Sequence, residues 1–229
     1  MRKGIQKIFS EVVETYEIVN HILTFGCDIF WRRKAAKEAS KAGGNHWLDV
    51  CSGTGEMALS LSRWAGKEVK IISLDFCLPM LRKAIEKKDP HISFIIADAS
   101  RLPFHKEVFN CITLSFATRN ININKRILEA HLGEFYRILK PGGHFINLET
   151  SQPPLGIIQR LFHLYIKIIV RPLGILISGS KAGYSYLAFT IPRFYSPDEF
   201  SSILFKAGFT LVTHRSLLLG VSAIHTAIK

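Results

Sequence analysis

Between His46 and Glu149 short apolar runs alternate with amphipathic ones, and this alternation restricts the chain more than any other feature. "HWLDVC", "VKIISLD", "ISFIIAD", "FNCITLSFA" and "GHFINLE" are short and rich in β-branched and aromatic residues, which reads as strands. Between them "EMALSLSRWAG", "LPMLRKAIEKK" and "KRILEAHLGEFYRILK" carry helical spacing. Strands linked by helices imply βαβ units with right-handed crossovers, hence an α/β domain with a mostly parallel sheet and helices on both faces.

Both flanks break the pattern. Residues 1–42 form a helical preface: apolar side chains from Ile5 to Val19 recur at helical spacing, predicting one helix over Ile5–Asn20, and a second follows over Ile29–Ala39. After Glu149 the alternation fails across residues 151–196, an insertion before the last helix and strands. Its segment 155–177 is nearly all apolar but is interrupted by Arg160, His163, Lys167 and Arg171, a basic stripe at helical spacing. "SPDEFSSILFKAG" predicts a helix capped by Ser196, and the remaining residues a closing pair of strands turning at Gly220.

At 229 residues the chain suits one domain with an insertion. Its four cysteines form no CxxC pair, which speaks against zinc and against a disulfide framework; no metal is expected. The amino terminus has no signal-like apolar core, and no apolar run goes ~18 residues uninterrupted. The expectation is a cytoplasmic protein without a transmembrane helix. The net charge of +12 suits nucleic acid, anionic lipid or acidic small molecules, and does not choose among them.

The stretch "LDVCSGTGE" ends a strand on Asp49, turns through Gly53 and Gly55 and reopens as a helix. Such a turn lets backbone approach a ligand. A dinucleotide site would want a third glycine where Ala58 stands, and a Walker A site would need a Lys-Ser or Lys-Thr that is absent. An acid just before the turn suits an ammonium or a sulfonium-bearing amino acid better than a phosphate. Two further strands end on acids: Asp75 can accept ribose hydroxyls, and Asp98 can read an adenine edge. Acids on three successive strand ends make one ligand rim.

The series "LDVCSGTGE", "LDFCLPML", "ADASRLPF" and "LKPGG" resembles the class I S-adenosylmethionine-dependent methyltransferases, which have a Rossmann-like fold with a seven-stranded sheet. "SFATRN", "LETSQP", "YSYLAFTI", "GVSAIH" and the amino-terminal segment are similar to the ubiquinone/menaquinone biosynthesis C-methyltransferase family. The resemblance spans nearly the whole chain. It implies S-adenosylmethionine as methyl donor, held by Asp49, Gly53, Thr54, Gly55, Asp75, Phe76, Met80, Asp98, Ala99 and Ser115. It implies methylation of a polyprenylated quinol ring carbon, most closely demethylmenaquinol or the corresponding benzoquinol. Arg119, Asn120 and Glu149 are then the catalytic candidates, Glu149 as general base or as ionic partner of Arg119, and Phe116, Tyr184 and His225 the substrate-side ones. Three departures lie on the substrate side: Ala117 for a glycine, Gln152 for a lysine, and Thr190-Ile191-Pro192 for Ser-Ile-Arg.

A long isoprenoid tail implies work at a membrane, for which segment 155–177 offers contact with anionic lipid, a cover for the tail, or a homodimer interface. A nucleic-acid methyltransferase is disfavoured, because "SFATRN" carries neither an Asn/Asp-Pro-Pro-Tyr/Phe element nor a Pro-Cys nucleophile, so nucleic acid is not an expected partner. A methyltransferase for another phenol, sterol or small molecule stays open, as does a non-catalytic S-adenosylmethionine binder.

Overall fold

The computed structural model describes residues 2–229. One seven-stranded sheet runs through it in the order β3-β2-β1-β4-β5-β7-β6. The strands are β1 (His46–Val50), β2 (Lys70–Asp75), β3 (Ile92–Ile96), β4 (Phe109–Ser115), β5 (Leu139–Thr150), β6 (Thr210–Leu217) and β7 (Ser222–Ile228). The first five pair in parallel, and β7 runs antiparallel to both β5 and β6. The β6–β7 link is a short turn at Leu218–Gly220, too short for a parallel crossover.

Alternate residues of the central strands serve two apolar layers. Leu48, Val50, Ile112, Leu114 and Phe145 face α7 (Lys125–Ile138) and α11 (Pro197–Lys206), while Trp47, Ile71, Cys111, Ile146 and Leu148 face α3 (Cys27–Ser40) and α4 (Glu56–Ser62). Burial on both faces explains why these strands read as nearly continuous apolar runs. Ser196 and Glu199 cap the start of α11 reciprocally, as its sequence predicts.

The preface differs from its expectation. In place of one helix there are two, α1 (Arg2–Val12) and α2 (Tyr16–Leu23), because Thr15 turns both its N–H and its hydroxyl onto Val12 O, at 3.1 and 3.3 Å. The break serves packing. Val12 of α1 is buried with Cys77 and Met80 beside α5 (Leu78–Ile85), whereas Val19 and Leu23 of α2 pack on Ile166, Val170 and Tyr184 of the insertion.

In the insertion, α8 (Gly156–Tyr165), a π-helical turn Ile166–Val170 and α9 (Arg171–Ser178) join into a 23-residue helix. α10 (Lys181–Thr190) folds back on it, with Tyr184 packed against Gly174. The most apolar 18-residue window of the long helix has a mean hydropathy of 1.6 with 17% of it buried, which by length and composition alone is enough to cross a membrane. The basic residues interrupt the apolar run without interrupting the helix.

The two glycines of the turn after β1 do different work. Gly53 (φ +55°) faces open space, whereas a Cβ on Gly55 (φ +80°) would meet Ala84 Cβ of α5 at 2.9 Å. Gly55→Ala is therefore expected to destabilise the fold by about 1–3 kcal/mol in urea denaturation. A change within about 0.5 kcal/mol would contradict this packing role.

Candidate active site

The strand order reverses between β1 and β4, the place where open α/β sheets bind ligands beyond their carboxyl ends. Both strands end there on strained residues: Cys51 and Phe116 each have φ +53°. An L-residue held in that region costs on the order of 1–3 kcal/mol, which marks a site whose backbone direction matters. Two openings meet above these turns. A cleft lies over β1, β2 and β3, and a larger apolar cavity of about 470 Å³ lies under the preface and the insertion. Phe9, Tyr16, Phe116 and Asn120 line both and so form the boundary between them.

The cleft gathers Gly53, Asp75, Phe76, Met80, Asp98, Ala99 and Ser115 of the sequence expectation. Asp75 is its fixed point. One carboxylate oxygen accepts the Gly53 N–H and the other the Cys77 N–H, both at 2.8 Å, tying the glycine turn to the start of α5. Burial raises its pKa despite these two donors. Asp98 Oδ1 accepts the Ser100 N–H at 2.8 Å, leaving its carboxylate on the cleft wall.

Asp49, Thr54 and Gly55 are not on the wall of either opening. Asp49 is fully buried and accepts the Thr113 hydroxyl at 2.7 Å. Burial, only partly opposed by that bond, pushes its pKa up to about 7. Thr54 is buried beside the turn, and Gly55 is occupied by its approach to α5. All three shape the turn from beneath.

In the larger cavity Arg119 is the organising group. It lies in the short helix α6 (Thr118–Ile121), 8% exposed, with Nε donating to Glu149 Oε1 at 2.8 Å and Nη1 to the Thr190 hydroxyl at 3.3 Å. Glu149, at the end of β5, is 1% exposed and also accepts the N–H groups of Arg119 and Thr150 and the Thr150 hydroxyl. Glu149 does not line the cavity. Of its two expected roles the geometry selects the ionic partner of Arg119, because Arg119 and Thr150 stand between the carboxylate and the cavity. Asn120 and Phe116 are on the wall, and so is Tyr184, whose hydroxyl pKa burial raises.

His225 is a correction. It sits on β7 against Phe200 of α11, with Nε2 bonded to Pro197 O at 3.0 Å, and lines neither opening. Burial pulls its pKa down to about 4, so it is a neutral core histidine. The substituted residues do close the site. Gln152 donates to Ile191 O at 2.8 Å and accepts from His163 Nε2 at 2.8 Å, linking β5 to α8 and α10.

Sequence reading missed the preface side chains. Ile5, Phe9 and Tyr16 line the cleft, and Tyr16, Asp28, Trp31 and Arg32 line the larger cavity. Helical spacing offers no signal for them together, because the helix breaks between Phe9 and Tyr16. His21, Asp28 and Glu56 bring donor atoms within 4.8 Å of one another, enough for a metal ion in principle. The cation present among them is Arg32, which pairs with both Asp28 and Glu56.

The site fits S-adenosylmethionine. Asp75 presents a carboxylate acceptor on the cleft wall, Phe76, Met80 and Ala99 give apolar walls, and the hydroxyls of Ser52 and Ser115 are buried without a partner beside the glycine turn. The fold and site define a class I S-adenosylmethionine-dependent methyltransferase. A solved methyltransferase of that class from Thermotoga maritima superposes with a TM-score of 0.66 at 18% identity, covering 97% of this chain and 98% of its own. The chain belongs to the ubiE/COQ5 methyltransferase family, which it matches over residues 1–229. It is similar to the demethylmenaquinone methyltransferase of Thermus thermophilus, with 37% identity over 95% of this chain and 98% of the relative. It is also similar to the ubiquinone/menaquinone biosynthesis C-methyltransferase of Rickettsia bellii, with 33% identity over 98% and 92%.

The raised pKa of Asp49 has a measurable consequence. Its folded value, about 7, exceeds the unfolded value of about 3.9, so the folded state holds an extra proton between those limits. The stability this group contributes is present below about pH 4 and is lost as pH rises through 7. The stability of the native chain minus that of Asp49→Asn should fall from pH 4 to pH 7 and level off above. A difference independent of pH, by urea denaturation, would contradict the burial of this carboxyl.

Proposed function

We propose that the protein methylates a ring carbon of a polyprenylated quinol, demethylmenaquinol by preference, in respiratory quinone biosynthesis. The observation that carries this reading is the presentation of Arg119 and Asn120 on the wall of a long apolar cavity, next to the donor cleft. S-adenosylmethionine supplies an electrophilic methyl group. The carbon–carbon bond forms as the sulfur–methyl bond breaks, and the ring carbon later loses its own proton to restore aromaticity.

The chain contributes position and charge. Arg119 keeps its proton and stabilises the phenolate that makes the ring carbon nucleophilic. Asn120 bonds the second ring oxygen, and Phe116 holds the ring plane against the donor. Glu149 and Thr190 fix the guanidinium. The carboxylate on the cavity wall, Asp28, is paired with Arg32 and His21, so the quinol proton leaves to water held at Arg119. Tyr184 and its neighbours exclude bulk water from the cavity. Asp75 takes the ribose and Asp98 the adenine edge.

The tail brings the enzyme to the cytoplasmic face of a membrane. Ile157, Leu161, Leu164 and Ile168 of the long helix are 50–69% exposed at spacings of four, three and four. Phe25, Leu218 and Leu219 add exposed apolar groups at the cavity rim. From Thr150 to Pro197 the sequence has cations at Arg160, Lys167, Arg171, Lys181 and Arg193 and no acid. That composition favours an anionic leaflet over a second copy of an equally cationic chain.

Arg119→Lys keeps Glu149 compensated but loses the guanidinium fork. It should lower kcat by about 10²-fold and leave the Kd for S-adenosylhomocysteine within about twofold. Parallel loss of both would remove the assigned role. Leu161→Asp with Ile168→Asp should abolish co-flotation with phosphatidylglycerol vesicles while a short-tailed quinol is still methylated. Undiminished flotation, or a change confined to oligomeric mass in sedimentation, would contradict lipid contact by this ridge.

A further inference from the structure

Arg32 is placed for more than holding two helices together. It comes from α3, is 6% exposed, and lines the larger cavity close to where that cavity meets the cleft. One Nη donates to Asp28 a turn earlier on the same helix, and the other lies 3.2 Å from Glu56 Oε2, beside the glycine turn. The guanidinium stands 5.2 Å from the centre of the Phe116 ring, at the strained end of β4. Its charge also acts on Asp49 and Tyr16.

Its supports are themselves held. His21 Nδ1 lies 2.9 Å from Asp28 Oδ2 and its Nε2 lies 3.2 Å from Glu56 Oε1, while the Thr24 hydroxyl donates to Asp28 at 2.7 Å. A guanidinium has five N–H donors, and these two carboxylates leave part of the fork unused on the cavity side. Nearby, the hydroxyls of Ser52 and Ser115 are buried without a hydrogen bond. A buried polar group without a partner costs on the order of 1–3 kcal/mol, so two beside one turn mark the seat of a polar ligand end.

The geometry points to Arg32 as the anchor for the α-carboxylate of the methyl donor's methionine moiety, with the Ser115 hydroxyl on the cleft wall available to its α-ammonium. The inference rests on the donor occupying the cleft. A donor stretched from the Asp75 side across the glycine turn brings its amino-acid end toward Phe116, where Arg32 stands. The charges match. The methionine end of a sulfonium donor carries one negative and two positive charges, and the cluster offers one fixed cation among several carboxylates. Asp28 acts here as a positioning residue, because it touches Arg32, and Thr24 and His21 hold Asp28 in turn. The preface thereby closes the donor site.

Two nucleosides separate this role from a structural one in titration calorimetry on the full chain. S-adenosylhomocysteine carries the amino-acid end, and 5′-methylthioadenosine lacks it. Arg32→Met should weaken S-adenosylhomocysteine by about 10- to 100-fold, the worth of a hydrogen-bonded charge contact. Its affinity for 5′-methylthioadenosine should stay within about twofold. Equal weakening of both, or undiminished binding of S-adenosylhomocysteine, would overturn the assignment. If Arg32→Met does not fold, Arg32→Lys preserves the charge facing Asp28 and Glu56 while removing the fork. It should show the same selective loss, and equal affinities in it would overturn the proposal as surely. Failure of the native chain to bind either nucleoside would instead refute the donor site itself.

Discussion

The substrate end of this molecule depends on one buried ion pair, Arg119 with Glu149. Taking two charges out of water is costly, and such a pair rarely repays the cost in stability. Here the carboxylate is surrounded by donors, two backbone N–H groups, a hydroxyl and the guanidinium Nε, so it is fully compensated without facing the cavity. What the pair secures is direction. It holds the β4–α6 turn against the end of β5, and through Thr190 it fastens α10 over the same spot. Loss of either partner would leave a buried charge uncompensated, at about 3–5 kcal/mol.

The sheet supplies the floor and the two irregular segments supply the roof. Strained turns at Cys51 and Phe116 bring the ends of β1 and β4 together. Above them, α1 and α2 cover the cleft and one side of the larger cavity, and the insertion covers the other. Val19 and Leu23 packing on Ile166, Val170 and Tyr184 join preface to insertion. Such an enclosure strengthens every electrostatic contact inside it, which a reaction that develops phenolate charge requires.

The central strands were legible from sequence because each is an apolar run ended by an acid or a turn, and burial on both faces produces that signal directly. Asp75 and Asp98 were legible as cleft-lining acids because each closes a strand run, whereas Arg119 was singled out only through the family resemblance. The roof was not. The break at Thr15 depends on what α1 and α2 pack against, and a periodicity running through Tyr16 cannot report it. The reach of Arg32 and Tyr16 into the site depends on a fold-back whose partners lie in a distant part of the chain. Asp49 stood in a ligand-binding pattern, yet the pattern does not say whether its carboxyl faces the cavity or lies beneath the turn. His225 failed for a similar reason: its place on β7 was right, but its side chain points to α11.

The central claim is that Arg119 stabilises charge on a reduced ring at the junction of cleft and cavity. The most direct measurement is methyl transfer from labelled S-adenosylmethionine to a short-tailed demethylmenaquinone, with and without prior reduction. Methylation of the quinol alone is the result this account predicts. Equal methylation of the oxidised ring, or none of either by protein that binds the donor, would contradict it.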